Sequence, residues 1–133
     1  MTSQQKHSKL VLWALWAAQA LLAAGFIWAA AMKLFLPVTK LSAMWPWTAQ
    51  LPVPLVKGTG IIDLLGGTGI LLPSLLRIQP RFTAFTAIGI IALMIAAGIF
   101  HIARGEASLI GVNIVFAIIA TFIVWGRWIP RQN

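Results

Sequence analysis

The residue in this chain best suited to chemistry is Asp63, a carboxylate inside an apolar stretch. That stretch covers residues 57–73, KGTGIIDLLGGTGILLP, and Asp63 is one of only two acidic residues in the protein. A charged side chain at the centre of a membrane-spanning helix costs roughly 2.5–3.5 kcal/mol on insertion scales, and such residues commonly pair or mark ligand and proton sites. We therefore expect Asp63 to have a partner on a neighbouring helix.

Five further polar side chains are predicted to lie near the same end of the molecule as Asp63. They are Lys33, His101, Arg104, Glu106 and Asn113. Lys57 is also close in sequence, but six residues of helix turn about 240° and place its side chain and that of Asp63 on different faces. Lys33, His101 and Arg104 come from other helices and are the expected partners of Asp63. Lys57 is expected to extend to the lipid headgroups.

Two interpretations of this polar set stay open. In the first, the set is structural: Asp63 forms an ion pair that holds helices together, and Asn113 bridges helices. His101 then bonds to a backbone carbonyl or to Glu106. In the second, the set binds a ligand, and His101 donates to a quinone or similar carbonyl, or carries a proton. The candidate ligand-binding residues are then Lys33, Asp63, His101, Arg104, Glu106 and Asn113.

The composition is that of a membrane protein. Of the 133 residues, 60 % are hydrophobic and 9 % are charged, whereas a soluble domain of this length needs more polar surface. The formal net charge of +8 would suggest nucleic acid in a soluble protein, but the basic residues lie in tails and short connections, so we expect the lipid bilayer as partner and no nucleic acid. The absence of cysteine excludes disulfides and thiolate-held metals or clusters. No metal site is expected.

Four long apolar runs predict an all-α, antiparallel four-helix bundle that is integral to the membrane. This transmembrane domain is predicted over residues 10–128, with spans at about 10–36, 55–76, 82–103 and 107–128, between a disordered cytoplasmic tail at 1–9 and a cytoplasmic tail at 129–133. The first run is too long for the h-region of a signal peptide, which has about 7–15 residues, so it predicts an uncleaved span. Gln19, Phe26 and Lys33, at intervals of seven, share the face expected to look into the bundle.

The basic residues predict the orientation of the bundle. One face carries six of them and the other carries fewer, so the positive-inside rule places both termini in the cytoplasm. The six are Lys6, Lys9, Arg77, Arg81, Arg127 and Arg131. The polar set around Asp63 then falls in the outer leaflet, in a pocket that opens outward above an apolar base. The connection at residues 37–54 is expected to be a loop on the outer membrane surface.

Three stretches resemble the DoxX-like family of small four-span bacterial membrane proteins. Residues 29–34 (AAAMKL) are similar to that family's Ala-Gly-x-x-Lys-Leu signature, with alanine where glycine is usual. Residues 60–66 (GIIDLLG) are similar to its second-span pattern, in which the acid is commonly glutamate. Residues 100–106 (FHIARGE), with Asn113 beyond, are similar to the end of its third span and the start of its fourth. The resemblance covers roughly residues 25–128.

The resemblance implies an integral protein of the bacterial inner membrane, and some family members are subunits of an archaeal thiosulfate:quinone oxidoreductase. Our leading hypothesis is a non-catalytic subunit or binding protein that holds a small lipophilic ligand, a quinone being one candidate, with redox protein subunits as partners. A structural or assembly protein and a small transporter, which would need a homo-oligomer, are the alternatives. An enzyme acting alone is not expected, because the sequence shows no cofactor motif and no nucleophile with a base.

Overall fold

Each long apolar run of the sequence forms a helix, because a backbone in lipid must satisfy its hydrogen bonds within the segment. The computed structural model describes residues 2–128 and has five α-helices there. They are α1 (Ser3–Phe35), α2 (Val38–Met44), α3 (Val53–Leu75), α4 (Pro80–Ala103) and α5 (Gly111–Trp128). Short 3-10 turns follow α2 and α4, at Pro46–Ala49 and Ala107–Leu109. The predicted all-α class is confirmed over these residues.

Four of the helices, α1, α3, α4 and α5, are long and apolar enough to cross a membrane. They form an antiparallel bundle in which α1 packs on α3, α3 on α4, α4 on α5 and α5 on α1. The inward faces meet in a core that includes Leu22, Phe26, Ile70, Ile90 and Ile123. The outward faces leave many large apolar side chains exposed, which suits contact with acyl chains. The chain is therefore a multi-pass membrane protein.

α1 and α3 approach each other closely at glycines of α3. A Cβ placed on Gly67 would lie 2.7 Å from Ile27 Cγ1, and one placed on Gly60 would lie 3.0 Å from Lys33 Cβ. Such short distances leave no room for a larger side chain, as is usual where small residues bring helices together in lipid. The glycines on either side of Asp63 therefore allow side chains of α1 to reach it.

The two ends of the bundle differ in their connections. The capped end is covered by residues 36–52, here named the capping segment, and by the α4–α5 connection at residues 104–110. The terminal end is where α1 begins and α5 ends, and it carries the short α3–α4 connection at residues 76–79. The six candidate ligand-binding residues of the sequence analysis belong to the capped end.

The structure differs from the sequence prediction in α1 and in the capping segment. α1 begins at Ser3, although the sequence predicts a disordered tail as far as residue 9. Residues 3–9 contain neither proline nor glycine, and a helix already nucleated in the apolar run extends through such residues at little cost. The capping segment is not an irregular surface loop, since it forms α2 and a 3-10 turn that bury Leu41 and Thr48. The predicted tail at 129–133, with Arg131, lies outside the described residues.

Candidate functional site

Lys33 and Asp63 form an ion pair between α1 and α3. Lys33 Nζ donates to Asp63 Oδ2 at 2.7 Å, and the two side chains are only 12 % and 9 % exposed. Lys33 lies in the last turn of α1, and Asp63 lies in the third turn of α3, so antiparallel packing brings them to one level. Lys33 is thus one of the three partners that the sequence predicts for Asp63.

Two tryptophans of the capping segment cover the Lys33 ammonium. Its Nζ lies 5.6 Å from the ring centroid of Trp45 and 5.4 Å from that of Trp47. Cation–π contacts of this kind contribute about 0.5–2 kcal/mol, the larger values where water is excluded. Thr48 is fully buried and donates to the Trp45 carbonyl at 2.7 Å, which fixes the turn that carries both rings. One carboxylate and two aromatic rings therefore hold the ammonium.

His101, Arg104 and Glu106 form a second cluster at the capped end. Glu106 Oε1 accepts from Arg104 Nε at 2.9 Å and lies 3.2 Å from His101 Nδ1. Gly105, with a φ of 75°, turns the chain after α4, and the Glu106 amide donates to the His101 carbonyl at 2.7 Å. The hydrogen bonds from Arg104 and then from His101 lower the pKa of Glu106 from its ordinary value of 4.5. Glu106 is therefore a carboxylate at neutral pH.

The capping segment joins the two clusters. Arg104 Nη1 donates to Gln50 Oε1, near the end of the segment. Trp47, which covers Lys33, also meets the Phe100 ring edge to face, with centroids 6.0 Å apart. The Phe100 ring in turn lies 5.5 Å from the guanidinium carbon of Arg104. The capping segment therefore contacts both clusters, and the outward-opening pocket stays a prediction.

His101 and Arg104 do not pair with Asp63 as the sequence predicts. Both bind Glu106 instead, and for His101 this is a contact that the structural interpretation of the sequence includes. The reason is local, because the turn at Gly105 brings a carboxylate from their own connection back to the end of α4. The six candidate residues therefore form two adjoining clusters and one separate amide rather than one set around Asp63.

Lys57 and Asn113 are two further polar residues at the capped end, and neither belongs to the two clusters. Lys57 Nζ donates to the Leu34 carbonyl at 2.8 Å, so it caps the end of α1 instead of extending to the headgroups as expected. Asn113 lies in the first turn of α5, and its Nδ2 is buried without a hydrogen-bond partner among the residues described. A buried amide left without a partner costs about 1–3 kcal/mol. A ligand that accepts from Asn113 would remove that cost.

A buried polar network lies towards the terminal end, where the sequence predicts an apolar base. Arg127 Nε donates to Gln19 Oε1 at 2.8 Å, and Gln19 Nε2 donates to the Ile70 carbonyl at 2.8 Å and to Ser74 Oγ at 2.9 Å. Ser74 Oγ lies 3.3 Å from Thr83 Oγ1. The prediction of an apolar base is wrong, because Arg127 is only 1 % exposed and is not part of a solvated flank. The network connects all four spanning helices.

Two signals in the sequence indicate this network. Gln19 lies on the face predicted to look inward, and a buried amide needs hydrogen-bond partners. Arg127 follows Ala120 and Ile123 at helical spacing, and both of those residues are fully buried. The guanidinium carbon of Arg127 also lies 5.5 Å from the ring centroid of Trp16. These contacts all lie inside the bundle and join its helices, which favours a structural role for the network.

Residues 17–123 match a family model described as the DoxX-like family. The matched region begins within α1 and ends within α5, so it includes the capping segment and both polar clusters of the capped end. No curated protein and no solved structure matches the chain.

Proposed function

Since the chain belongs to the DoxX-like family and is a multi-pass membrane protein, we propose that it binds a small lipophilic ligand with a polar head at the capped end. The observation that carries this proposal is the position of the Lys33–Asp63 pair. An ion pair that only joins two helices can be covered by those helices, but this one lies beneath a separate segment that adds two aromatic rings. In this proposal the protein lies in the bacterial inner membrane, with both termini cytoplasmic and the capped end facing outward.

The groups at the capped end suit a ligand that presents carbonyl or hydroxyl oxygens. The Lys33 ammonium has three N–H groups, and its contact with Asp63 uses one of them. The Asn113 amide is a further donor, since its Nδ2 is buried without a partner among the described residues. Asp63 can accept from a hydroxyl, and the rings of Trp45 and Trp47 offer stacking surfaces to a flat ring. A quinone fits this set, because it has a planar ring, two carbonyl oxygens and an apolar tail.

We assign the chain a binding role beside redox protein subunits rather than the role of a complete enzyme. The chain has no cysteine, so electrons cannot pass through thiols of its own. Partner subunits would therefore exchange electrons with the bound ligand. The family resemblance supports this assignment, since some members are subunits of a thiosulfate:quinone oxidoreductase.

The test is quinone binding by the purified protein. The protein is extracted in mild detergent, co-purifying lipids are quantified by mass spectrometry, and a short-chain ubiquinone is titrated while tryptophan fluorescence is followed. We expect Lys33→Gln and Asp63→Asn each to weaken binding about tenfold, the effect of losing one hydrogen bond to a charged group. Lys40→Gln is the matched control, because Lys40 is an exposed lysine of α2, and it should bind as the wild type does.

Unchanged quinone binding in folded Lys33→Gln and Asp63→Asn proteins would refute the proposal. The proposal would also be refuted if the wild-type protein carried no quinone after extraction and its tryptophan fluorescence did not change on titration with quinone. Far-UV circular dichroism of each variant establishes that the comparison is made between folded proteins.

A structural role is the second candidate, and a specific observation favours it. Asp63 pairs with Lys33, and Glu106 pairs with both His101 and Arg104, so these charged groups are satisfied within the chain. If these pairs only lock helices, Asp63→Asn lowers the Tm in detergent and leaves ligand binding per folded molecule unchanged. Asp63→Asn therefore distinguishes the two candidates: it weakens quinone binding if the site binds a ligand, and it changes only the Tm if the pair is structural.

A further inference from the structure

The terminal end carries positive charge that no acidic side chain balances. The chain has only two acidic residues, and both are paired at the capped end, in the Lys33–Asp63 and Arg104–Glu106 contacts. The terminal end, by contrast, presents exposed basic side chains on α1, on the α3–α4 connection and in the first turn of α4. They are Lys6, Lys9, Arg77 and Arg81. An anion outside the chain is therefore the complement of this surface.

Arg77 occupies a backbone position that favours glycine. Its φ is 56°, and it follows the end of α3, where the Ile78 amide donates to the Pro73 carbonyl at 2.8 Å and the Arg77 amide lies 3.3 Å from the Ser74 carbonyl. This is the Schellman arrangement, whose left-handed residue is usually glycine. The same arrangement ends α4, and there the chain does use glycine, Gly105. Arginine at this position bears a backbone strain that glycine would avoid, and its side chain is exposed at the terminal end.

An apolar groove runs along α3 to this arginine. It has a volume of about 160 Å³ and is lined by Thr68, Gly69, Leu72, Pro73, Leu76 and Ile78. Ile78 directly follows Arg77, so the groove ends beside the arginine. At Gly69 the groove borders α4, because a Cβ at that position would lie 2.9 Å from Thr86 Oγ1. The groove is on the lipid-facing side of a spanning helix, where an acyl chain can enter it.

Arg81 lies at the same level, in the first turn of α4. Its guanidinium carbon is 5.9 Å from the Trp128 ring centroid, and Trp128 meets Phe85 edge to face at 5.4 Å. Tryptophan at a helix end lies at the depth of the lipid headgroups. The guanidinium group donates in a planar fork that matches phosphate oxygens. Arg81 is therefore held at the depth at which a headgroup phosphate lies.

We propose that the α3–α4 hairpin binds an anionic phospholipid, with Arg77 and Arg81 on the headgroup phosphate and one acyl chain in the groove that ends at Ile78. The site is at the opposite end of the bundle from the proposed quinone site and does not depend on it. The phosphate is that of a bilayer lipid and not a free anion, because the groove supplies a surface for a hydrocarbon chain.

The test compares phospholipids on the delipidated protein in neutral detergent. Native mass spectrometry and thermal unfolding are measured with phosphatidylglycerol, with phosphatidylcholine and with inorganic phosphate. We expect the wild type to bind and be stabilised by phosphatidylglycerol in preference to the other two. Arg77→Gly and Arg81→Gln should each weaken that binding about fivefold, the effect of one basic residue at a membrane surface.

Arg77→Gly separates binding from folding. Glycine suits the left-handed backbone at this position, so the variant should unfold in lipid-free detergent at the wild-type temperature or above it, while it loses the response to phosphatidylglycerol. Lys40→Gln removes one exposed charge at the capped end and should keep the full response. Leu72→Trp fills the groove and should weaken binding of long-chain phosphatidylglycerol but not of its dihexanoyl form.

Three outcomes would overturn the proposal. Arg77→Gly and Arg81→Gln could respond to phosphatidylglycerol as the wild type does. Lys40→Gln could lose the response equally, which would show that only total charge matters. The wild type could prove to be a dimer that Leu72→Trp converts into a monomer while the response to phosphatidylglycerol is kept. That result would show that the groove binds a second copy of the chain.

Discussion

Replacing both members of the Lys33–Asp63 pair should harm the protein less than replacing either one. Asp63→Leu leaves the Lys33 ammonium beneath the capping segment without its carboxylate, and Lys33→Met leaves the carboxylate without its cation. Breaking a buried ion pair by removing one partner costs about 3–5 kcal/mol. Replacing both partners with apolar residues of similar volume is often neutral or stabilising by about 1–4 kcal/mol.

The structure determines where each variant falls in these ranges. The two side chains are 12 % and 9 % exposed, so the pair is close to the buried limit. After Asp63→Leu, the rings of Trp45 and Trp47 still face the ammonium, and at the low end of their range the two contacts together offset about 1 kcal/mol. We expect a loss of about 2–4 kcal/mol in the free energy of unfolding for Asp63→Leu and about 3–5 kcal/mol for Lys33→Met. The double variant should lie within about 1 kcal/mol of the wild type or above it.

The assay is unfolding by SDS in mixed micelles, followed by far-UV circular dichroism for the wild type, both single variants and the double variant. Because the double variant is expected to be near neutral, the double-mutant cycle should give a coupling energy close to the sum of the two single losses, about 5–9 kcal/mol. Lys40→Met, an exposed lysine of α2, should change the stability by less than about 0.5 kcal/mol. If the two single losses simply add in the double variant, the pair does not stabilise the capped end and the reasoning is refuted.

Three further variants test the surroundings of the pair. Trp47→Ala should loosen the capping segment and increase the rate at which a hydrophobic carbodiimide labels Asp63, as measured by mass spectrometry. The pKa of Glu106 is lowered in the folded protein. Its contribution to stability is therefore complete above its ordinary pKa of 4.5 and is lost as the pH falls through the lower folded value. Glu106→Gln should remove the fall in Tm that this loss causes at acidic pH. Gly67→Leu should cost about 1–3 kcal/mol in unfolding free energy, because α1 leaves no room for the side chain.

Each of these variants has a matched control. Trp13 is exposed on α1, so Trp13→Ala should leave the labelling of Asp63 unchanged. Gly89 has open space where its Cβ would lie, so Gly89→Leu should cost far less stability than Gly67→Leu. Faster labelling in Trp13→Ala, an equal loss in Gly89→Leu, or a wild-type acid profile in Glu106→Gln would each contradict the corresponding step of the reasoning.

The spanning helices could be predicted from the sequence because lipid requires long apolar segments with internal hydrogen bonds. The helix boundaries could not be predicted as well, because a helix can extend into polar residues beyond an apolar run or begin only after the run has started. α1 begins at Ser3 although its apolar run begins at Leu10. α5 begins at Gly111 because residues 107–109 form a 3-10 turn first.

The candidate site could be predicted only in part. The Lys33–Asp63 pair follows from the cost of an intramembrane acid and from the helix face that Lys33 shares with Gln19. The sequence already offers Glu106 as a partner of His101, but the preference of His101 and Arg104 for Glu106 over Asp63 depends on a left-handed turn at Gly105, which charge and spacing do not reveal. The cover formed by the capping segment depends on tertiary contacts of its tryptophans, and no periodicity in the sequence describes those contacts.

The orientation of the two ends links both proposals, and it can be tested directly. In our proposal the terminal end lies in the cytoplasm, because it carries more lysine and arginine than the capped end, and anionic lipids attract basic residues there. Because the chain has no cysteine, Lys40→Cys and Gln79→Cys introduce single labels at the capped and terminal ends. A membrane-impermeant maleimide should label the first in intact spheroplasts and the second only after permeabilisation. The reverse pattern would turn the capped end, and the proposed ligand site with it, towards the cytoplasm.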